Sequence, residues 1–285
     1  MTQAQAARLM DGTALARRIV EDTARQAAAL TGRTGTAPCL ATVLVGEDPA
    51  SVTYVRMKQN RCRKAGITSR HVALPATTTT DELVGTLREL SADPGVHGIL
   101  LQHPVGDHID ERAAFEAIAP EKDVDGVTFA SFATMSFGLP GFVSCTPGGI
   151  VRLLDEYGVD PAGKRAVVVG RSAILGKPVG MLLLARDATV TYCHSRTRDL
   201  SAAVREADIV VAAVGRPRLI RGQDIKPGAV VIDAGYNPGN VGDVDFDSAV
   251  ERASLITPVP GGVGPMTIAT LLEQTATAAA RQLGV

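Results

Sequence analysis

The stretch that most constrains what this chain can fold into is Ala166-Val167-Val168-Val169-Gly170-Arg171-Ser172-Ala173-Ile174-Leu175-Gly176-Lys177-Pro178. Its apolar, β-branched run bounded by glycine is the pattern of a strand buried on both faces, and the turn after it leads into a helix-compatible segment, Val179 to Ala185. Strand, turn and helix in that order aim free backbone N–H groups and the positive end of a helix dipole at one point. Such a point suits a phosphate. The spacing is Gly-x5-Gly, however, and Ser172 stands where the usual Gly-x-Gly-x-x-Gly fingerprint has its second glycine. By spacing alone, an ordinary tight turn of an α/β protein remains open. The candidate phosphate residues are Gly170, Arg171, Ser172 and Gly176.

A second strand, Ala188 to Cys193, ends where an NAD-binding fold places an acidic residue on the ribose 2′-hydroxyl. This chain has His194-Ser195-Arg196 there. A hydroxyl and a cation cannot replace that acid. With Arg171 they suit a 2′-phosphate, which arginine grips through two parallel charge-assisted hydrogen bonds. Ser195 and Arg196 therefore point to NADP before NAD, a solvated loop charge being the other reading of Arg196.

With 285 residues, 45% of them hydrophobic, the chain is long enough for two domains with a core each. A formal net charge of −1 gives no pull toward nucleic acid or anionic lipid. No run of 18 apolar residues and no signal-peptide core occur, so the expected place is the cytoplasm, away from membranes. Cys39, Cys62, Cys145 and Cys193 lie far apart, and neither they nor the histidines show metal-ligand spacing, so reduced thiols and no metal are expected. Of 29 basic residues, lysine stands only at positions 58, 64, 122, 164, 177 and 226. Lysine, unlike arginine, can lose its proton in a site and act as a base, so each one matters.

Along the chain, helical spacing predicts a helix over Asp11 to Ala29, broken at Gly32 to Thr36. Cys39 to Val45 reads as a buried strand, Gly46 to Pro49 as a turn, and Ser51 to Lys64 as a helix stopped by Ala65-Gly66. Strands follow at Ile67 to Leu74 and Val96 to Leu101. Between them lies a helix, Asp81 to Leu90, with Thr79 and Glu82 spaced as a capping box. Asp110 to Ile118 and Pro147 to Tyr157 read as helices, and a domain boundary is expected near the end of the small-residue stretch Thr128 to Thr146. Further strands fall at Asp208 to Val214, Val230 to Asp233 and Leu255 to Ile256, before a closing helix from Met266 to Gln282 expected to pack on the first domain. Alternating strands and helices imply parallel sheets covered on both faces. The expected fold class is thus α/β: two α/β domains flanking a cleft, the C-terminal one a Rossmann-type doubly wound parallel sheet. The domains are expected at 1–143 plus 269–285 and at 144–268. Loops at the carboxyl ends of strands line a ligand cleft, which makes Ile256 a candidate cofactor contact and Pro260, Gly261 and Gly262 candidate substrate contacts.

The informative helix holds Tyr54 and Lys58, four residues apart and so on one face, about 6 Å apart along the axis. Tyr54 can fix the lysine amine, although such a pair is also compatible with a solvated helix face. Gln102 follows directly on a buried strand, where its amide can hold the lysine's geometry. Asp125, in Asp123-Val124-Asp125-Gly126, offers a carboxylate to a ring amide or guanidine-like edge, or serves only as an Asx-turn residue.

Val45-Gly46-Glu47-Asp48-Pro49-Ala50-Ser51 through Tyr54 and Lys58, Pro120 to Gly126, Cys145-Thr146-Pro147, Gly170-Arg171-Ser172 to Pro178, and Thr257 to Thr267 together resemble the bifunctional methylenetetrahydrofolate dehydrogenase/methenyltetrahydrofolate cyclohydrolase family. The resemblance spans nearly the whole chain. It implies that Lys58 is the catalytic amine, that Tyr54 and Gln102 orient it and tune its pKa, and that Asp125 holds the pterin of a reduced folate. It also implies NADP as cofactor and a homodimer. The expected reaction is oxidation of 5,10-methylenetetrahydrofolate to the methenyl form and its hydrolysis to 10-formyltetrahydrofolate. Two stretches depart from the family pattern: His103-Pro104-Val105-Gly106 replaces Leu-Pro-Leu-Pro, and Ala234-Gly235-Tyr236-Asn237 replaces Val-Gly-Ile-Asn. Other two-domain NADP oxidoreductases of the shikimate dehydrogenase kind, and a non-catalytic nucleotide sensor, are the alternatives.

Overall fold

The computed structural model describes residues 6–46 and 58–285. Its nine strands are β1 (Arg8–Leu9), β2 (Cys39–Val45), β3 (Thr68–Leu74), β4 (Gly98–Gln102), β5 (Arg165–Val169), β6 (Thr189–Cys193), β7 (Ile209–Ala212), β8 (Val230–Asp233) and β9 (Leu255–Ile256), counted among the described residues. They form two wholly parallel sheets, one ordered β3-β2-β4 and one ordered β1-β9-β8-β7-β5-β6. The chain divides into two compact units. One comprises Met1–Ala16, Met135–Gly138 and Thr146–Thr267, the other Arg17–Thr134, Leu139–Cys145 and Ile268–Val285. Each sheet's main strands lie in one unit, with helices in the sequence between them.

In the unit that carries Lys58, β2 is buried at every position because strands pair on both its sides and its residues are apolar apart from Thr42. Edge strand β3 alternates between exposed and half-buried. The helix Thr80–Ala92 starts with the expected reciprocal cap: Glu82 N–H donates to Thr79 Oγ1, and Thr79 N–H donates to the Glu82 carboxylate. It buries Leu83, Leu87 and Leu90.

The second unit is built on the six-stranded sheet, where β5 pairs with β6 on one side and β7 on the other. Strand order therefore reverses at β5, the switch point at which doubly wound sheets bind ligands beyond their carboxyl ends. Val167, Val169, Val210, Ala212, Val231 and Ile256 belong to one apolar core there.

Several boundaries differ from the sequence expectation for local reasons. The first helix runs Gly12–Thr34, straight through Gly32, because a side chain at that position faces open space and the only cost is propensity. It stops at Gly35, which takes φ +72 and donates its N–H to the Thr31 carbonyl at 2.8 Å. The helix expected to Ile118 spans only Glu111–Phe115, and the closing helix begins earlier, at Val263. A helix over Phe129–Ser136 was not anticipated. The expected helix start at Ser51 and the turn through Pro49 lie outside the described residues.

Candidate active site and nucleotide site

Strand β4 carries the first part of the lysine site by ending on Gln102. The Gln102 Nε2 donates to the His103 carbonyl at 2.9 Å, which turns Oε1 toward the lysine. The Lys58 Nζ donates to that Oε1 at 2.9 Å. Lys58 lies in helical residues 58–64 and is only 6% exposed. Burial pushes its amine below the ordinary lysine range, and the charge of Asp125 pulls it partly back. Asp125 feels the reverse: burial raises its carboxyl, and Lys58 lowers it. Each charge thus works against the burial of the other, and titratable groups shifted in this way by burial and a charged neighbour are typical of acid–base sites.

The backbone around Asp125 is fixed from several directions. Asp123, fully buried, accepts N–H groups from Val127 and Thr128 and the hydroxyl of Ser131. Gly126 takes φ +67, and a Cβ there would lie 2.5 Å from the Ser144 nitrogen, so only glycine lets the two segments meet. The Ser144 hydroxyl donates to the Gly126 carbonyl at 2.7 Å and Cys145 N–H to the Asp125 carbonyl at 3.2 Å. Gln274, from the closing helix, donates to the carbonyls of Val124 at 2.8 Å and Val143 at 2.9 Å. Cys145 itself is fully buried beside Asp125, which drives its thiol pKa well up and leaves it an inert packing group. Asp123, Cys145 and Gln274 are supporting residues to which sequence reasoning gave no role, although the first two fall in stretches that carry the family resemblance.

The structure therefore brings Lys58, Gln102 and Asp125 into one site. Tyr54 lies outside the described residues. In the other unit, the Pro260-Gly261-Gly262 loop is held by Thr13, whose N–H donates to the Gly261 carbonyl at 3.0 Å. Pro260 is exposed there, and Gly262 is buried.

The turn after β5 is built on Gly170 and Gly176. Gly170 takes φ +136, and a Cβ on it would lie 2.2 Å from the Ala213 carbonyl oxygen. A Cβ on Gly176 would lie 2.6 Å from the backbone of Gly170, so the turn closes tightly on the start of helix Gly176–Leu184. The Ser172 hydroxyl accepts the N–H groups of Leu175 and Gly176, each at 3.2 Å, while Arg171 and Ser172 face solvent. Gly170 N–H donates to the Cys193 carbonyl at 2.8 Å, so the exposed residues Ser195 and Arg196 leave the same end of the sheet one strand over. No carboxylate follows β6 within His194-Ser195-Arg196. These residues fit a dinucleotide with a 2′-phosphate. Ile256 does not join them: its side chain is 0% exposed in the core.

A doubly wound parallel sheet with a switch point in one unit, and a buried amine with an amide and a carboxylate beside it in the other, are features of a two-unit α/β dehydrogenase. Comparison with known proteins narrows the class. Residues 10–125 match the catalytic domain and residues 144–283 the NAD(P)-binding domain described as tetrahydrofolate dehydrogenase/cyclohydrolase. The chain belongs to the tetrahydrofolate dehydrogenase/cyclohydrolase family. It is 81% identical over 285 residues to "Bifunctional protein FolD 1" of Streptomyces avermitilis, covering 100% of this chain and 99% of that protein. Its structure is similar to that of the Trypanosoma brucei N5,N10-methylenetetrahydrofolate dehydrogenase-cyclohydrolase, solved with NADP cofactor and inhibitor. The TM-score is 0.95 at 40% identity, over 99% of this chain and 100% of that one. Shikimate 5-dehydrogenase of Thermus thermophilus gives a TM-score of 0.52 at 18% identity over 87% of this chain and 100% of that one, a likeness of fold alone.

Proposed function

We propose that Lys58 is the catalytic amine, the proton acceptor and donor of the hydrolytic step, with Gln102 and Tyr54 orienting it and Asp125 holding the pterin. The reaction is the family's two-step conversion: 5,10-methylenetetrahydrofolate is oxidised with NADP to the methenyl form, which is hydrolysed to 10-formyltetrahydrofolate. The observation that carries the residue roles is the 2.9 Å Lys58–Gln102 bond at a nearly dry amine beside Asp125. NADP, when bound, supplies the hydride acceptor. Arg171, Ser195 and Arg196 are the residues to hold its 2′-phosphate, and Gly170, Ser172 and Gly176 shape the turn that takes its pyrophosphate. Asp125 presents an acceptor to the N–H edge of the pterin and so fixes the one-carbon unit relative to Lys58. Neutral Lys58 takes the proton of the attacking water, and the ammonium so formed returns it to the departing ring nitrogen. Gln102 keeps the amine aimed through both transfers. Pro260, Gly261 and Gly262 are assigned to the folate side of the substrate.

The catalytic domain is assigned to 1–143 plus 269–285 and the NADP-binding domain to 144–268, although Met1–Ala16 and Met135–Gly138 pack with the compact unit of the NADP-binding domain. A homodimer in the cytoplasm is part of the same reading. Among the described residues, no helix is long and apolar enough to cross a membrane. Purified protein mixed with methylenetetrahydrofolate and NADP is expected to raise the NADPH absorbance, with the methenyl band appearing and then decaying. NADPH formation without decay of the methenyl band would remove the hydrolase half. No change in either band would remove the reading altogether.

A further inference from the structure

In the nucleotide-binding unit two buried carboxylates that no step above uses lie side by side. Asp233 closes strand β8, and Asp243 follows in the next loop, 0% exposed. Asp243 is an acceptor for four N–H groups. Its Oδ2 takes those of Val214 at 2.7 Å and Gly215 at 2.9 Å, and its Oδ1 takes Arg216 N–H at 2.8 Å and the Asn237 side-chain amide at 3.1 Å. Three consecutive amides of the loop after β7 thus converge on one carboxylate. Asp243 is in turn fixed by Asp233, whose Oδ1 accepts the Asp243 N–H at 3.0 Å and whose Oδ2 accepts that of Val244 at 2.9 Å. Burial pushes the Asp233 carboxyl up to about 6, with the neighbouring Asp243 charge adding to the shift.

The packing leaves no slack in this arrangement. A Cβ on Gly235 would lie 2.2 Å from the Asp243 carboxyl carbon, and one on Gly242 would lie 1.9 Å from an Asp233 oxygen. The clamped loop also reaches the nucleotide turn. Ala213, directly before it, donates its N–H to the Val169 carbonyl at 2.8 Å, and its own carbonyl oxygen occupies the space a Gly170 side chain would need. A continuous set of contacts therefore runs from β8 through Asp233, Asp243 and residues 214–216 to Gly170. Strands β5 and β7 are neighbours, so this loop and the turn after β5 form adjoining walls at the carboxyl end of the sheet.

We propose that Asp243 is a positioning residue for NADP: it holds the loop after β7 in the one conformation that completes the wall beside Gly170, without itself touching the cofactor. The proposal rests on the assignment of NADP to the turn after β5. Aspartate is required because only a carboxylate offers acceptors on both oxygens. An asparagine turns an N–H₂ group toward two of the four donors and leaves them unpaired.

The test is Asp243→Asn with three readouts on the full-length protein. The NADP Kd from calorimetric titration is expected to rise roughly tenfold, the scale of one lost charge-assisted bond. Amide hydrogen exchange at Val214, Gly215 and Arg216 is expected to quicken. Hydrolysis of methenyltetrahydrofolate added directly, without NADP, is expected to stay at the wild-type rate. If Asp243→Asn does not fold, Asn237→Ala removes one of the four donors and is expected to shift Kd and exchange in the same direction by a smaller factor. An unchanged NADP Kd alongside faster exchange overturns the proposal, because loop order then does not govern cofactor binding. A parallel fall in hydrolysis overturns it too, because the effect is then general loss of structure. Failure of wild-type protein to bind NADP would instead defeat the cofactor assignment beneath it, and is seen before any variant is made.

Discussion

Replacing Lys58 by methionine is expected to slow hydrolysis of methenyltetrahydrofolate by about 10²–10⁴-fold, the contribution of a positioned acid–base group, while the protein still folds and binds NADP. Methionine keeps most of the aliphatic stem and removes an amine that is 6% exposed, so the substitution relieves a desolvation cost rather than opening a cavity. Gln102 loses its partner at Oε1 but is only half-buried, so water can take the vacated bond. Hydride transfer abstracts no proton at the reacting carbon, so the dehydrogenase step is expected to suffer less than hydrolysis. Methenyltetrahydrofolate supplied directly bypasses that step and isolates the hydrolase. Hydrolysis at the wild-type rate under those conditions would take Lys58 out of the mechanism, and an unfolded variant would show at once by circular dichroism.

Arg171→Ala is expected to weaken NADP far more than NAD. The side chain is exposed at the mouth of the turn, one residue after Gly170 and beside the end of β6. A charge-assisted bond to a phosphate is worth about 1.5–3 kcal/mol, which corresponds to roughly 10- to 150-fold in the NADP Kd. NAD has no 2′-phosphate and makes no use of the guanidinium there. Calorimetric titration of both dinucleotides into wild-type and variant protein separates the cases. Equal loss for the two would place Arg171 on the pyrophosphate or in the general field of the site.

Much of this was legible in the sequence where one residue type leaves few options. The run Ala166 to Val169 forms a strand buried on both faces, and Thr79 with Glu82 forms the cap that their spacing predicts. An amide directly after a buried strand marked Gln102, and the scarcity of lysine marked Lys58. What stayed hidden depends on contacts between distant segments. Gln274 is one polar residue on a small-residue helix, and its role comes from segments 131 and 150 positions away. Asp243 reads as a turn aspartate in Gly242-Asp243-Val244-Asp245, and nothing local shows three amides from residues 214–216 arriving on it. Ile256 is a different case. Its position at a strand end suggested a cleft, but its partners in the core are visible only once the sheet is assembled. The helix over Phe129–Ser136 was obscured because a mixture of Phe, Ala, Ser and Thr follows neither helical nor strand periodicity strongly.

In the proposed mechanism one buried amine, held below its ordinary pKa by desolvation and aimed by Gln102, acts as the base in hydrolysis. The most direct test of that role is the pH dependence of methenyltetrahydrofolate hydrolysis in wild-type and Lys58→Met protein, each corrected for the uncatalysed rate. A base must be neutral to act, so the wild-type rate is expected to rise with pH through an inflection below the ordinary lysine value of 10.5 and then level off. That inflection is expected to be absent from the variant. An inflection that persists unchanged in Lys58→Met, or a wild-type rate that climbs only at the ordinary lysine pKa, would contradict the account.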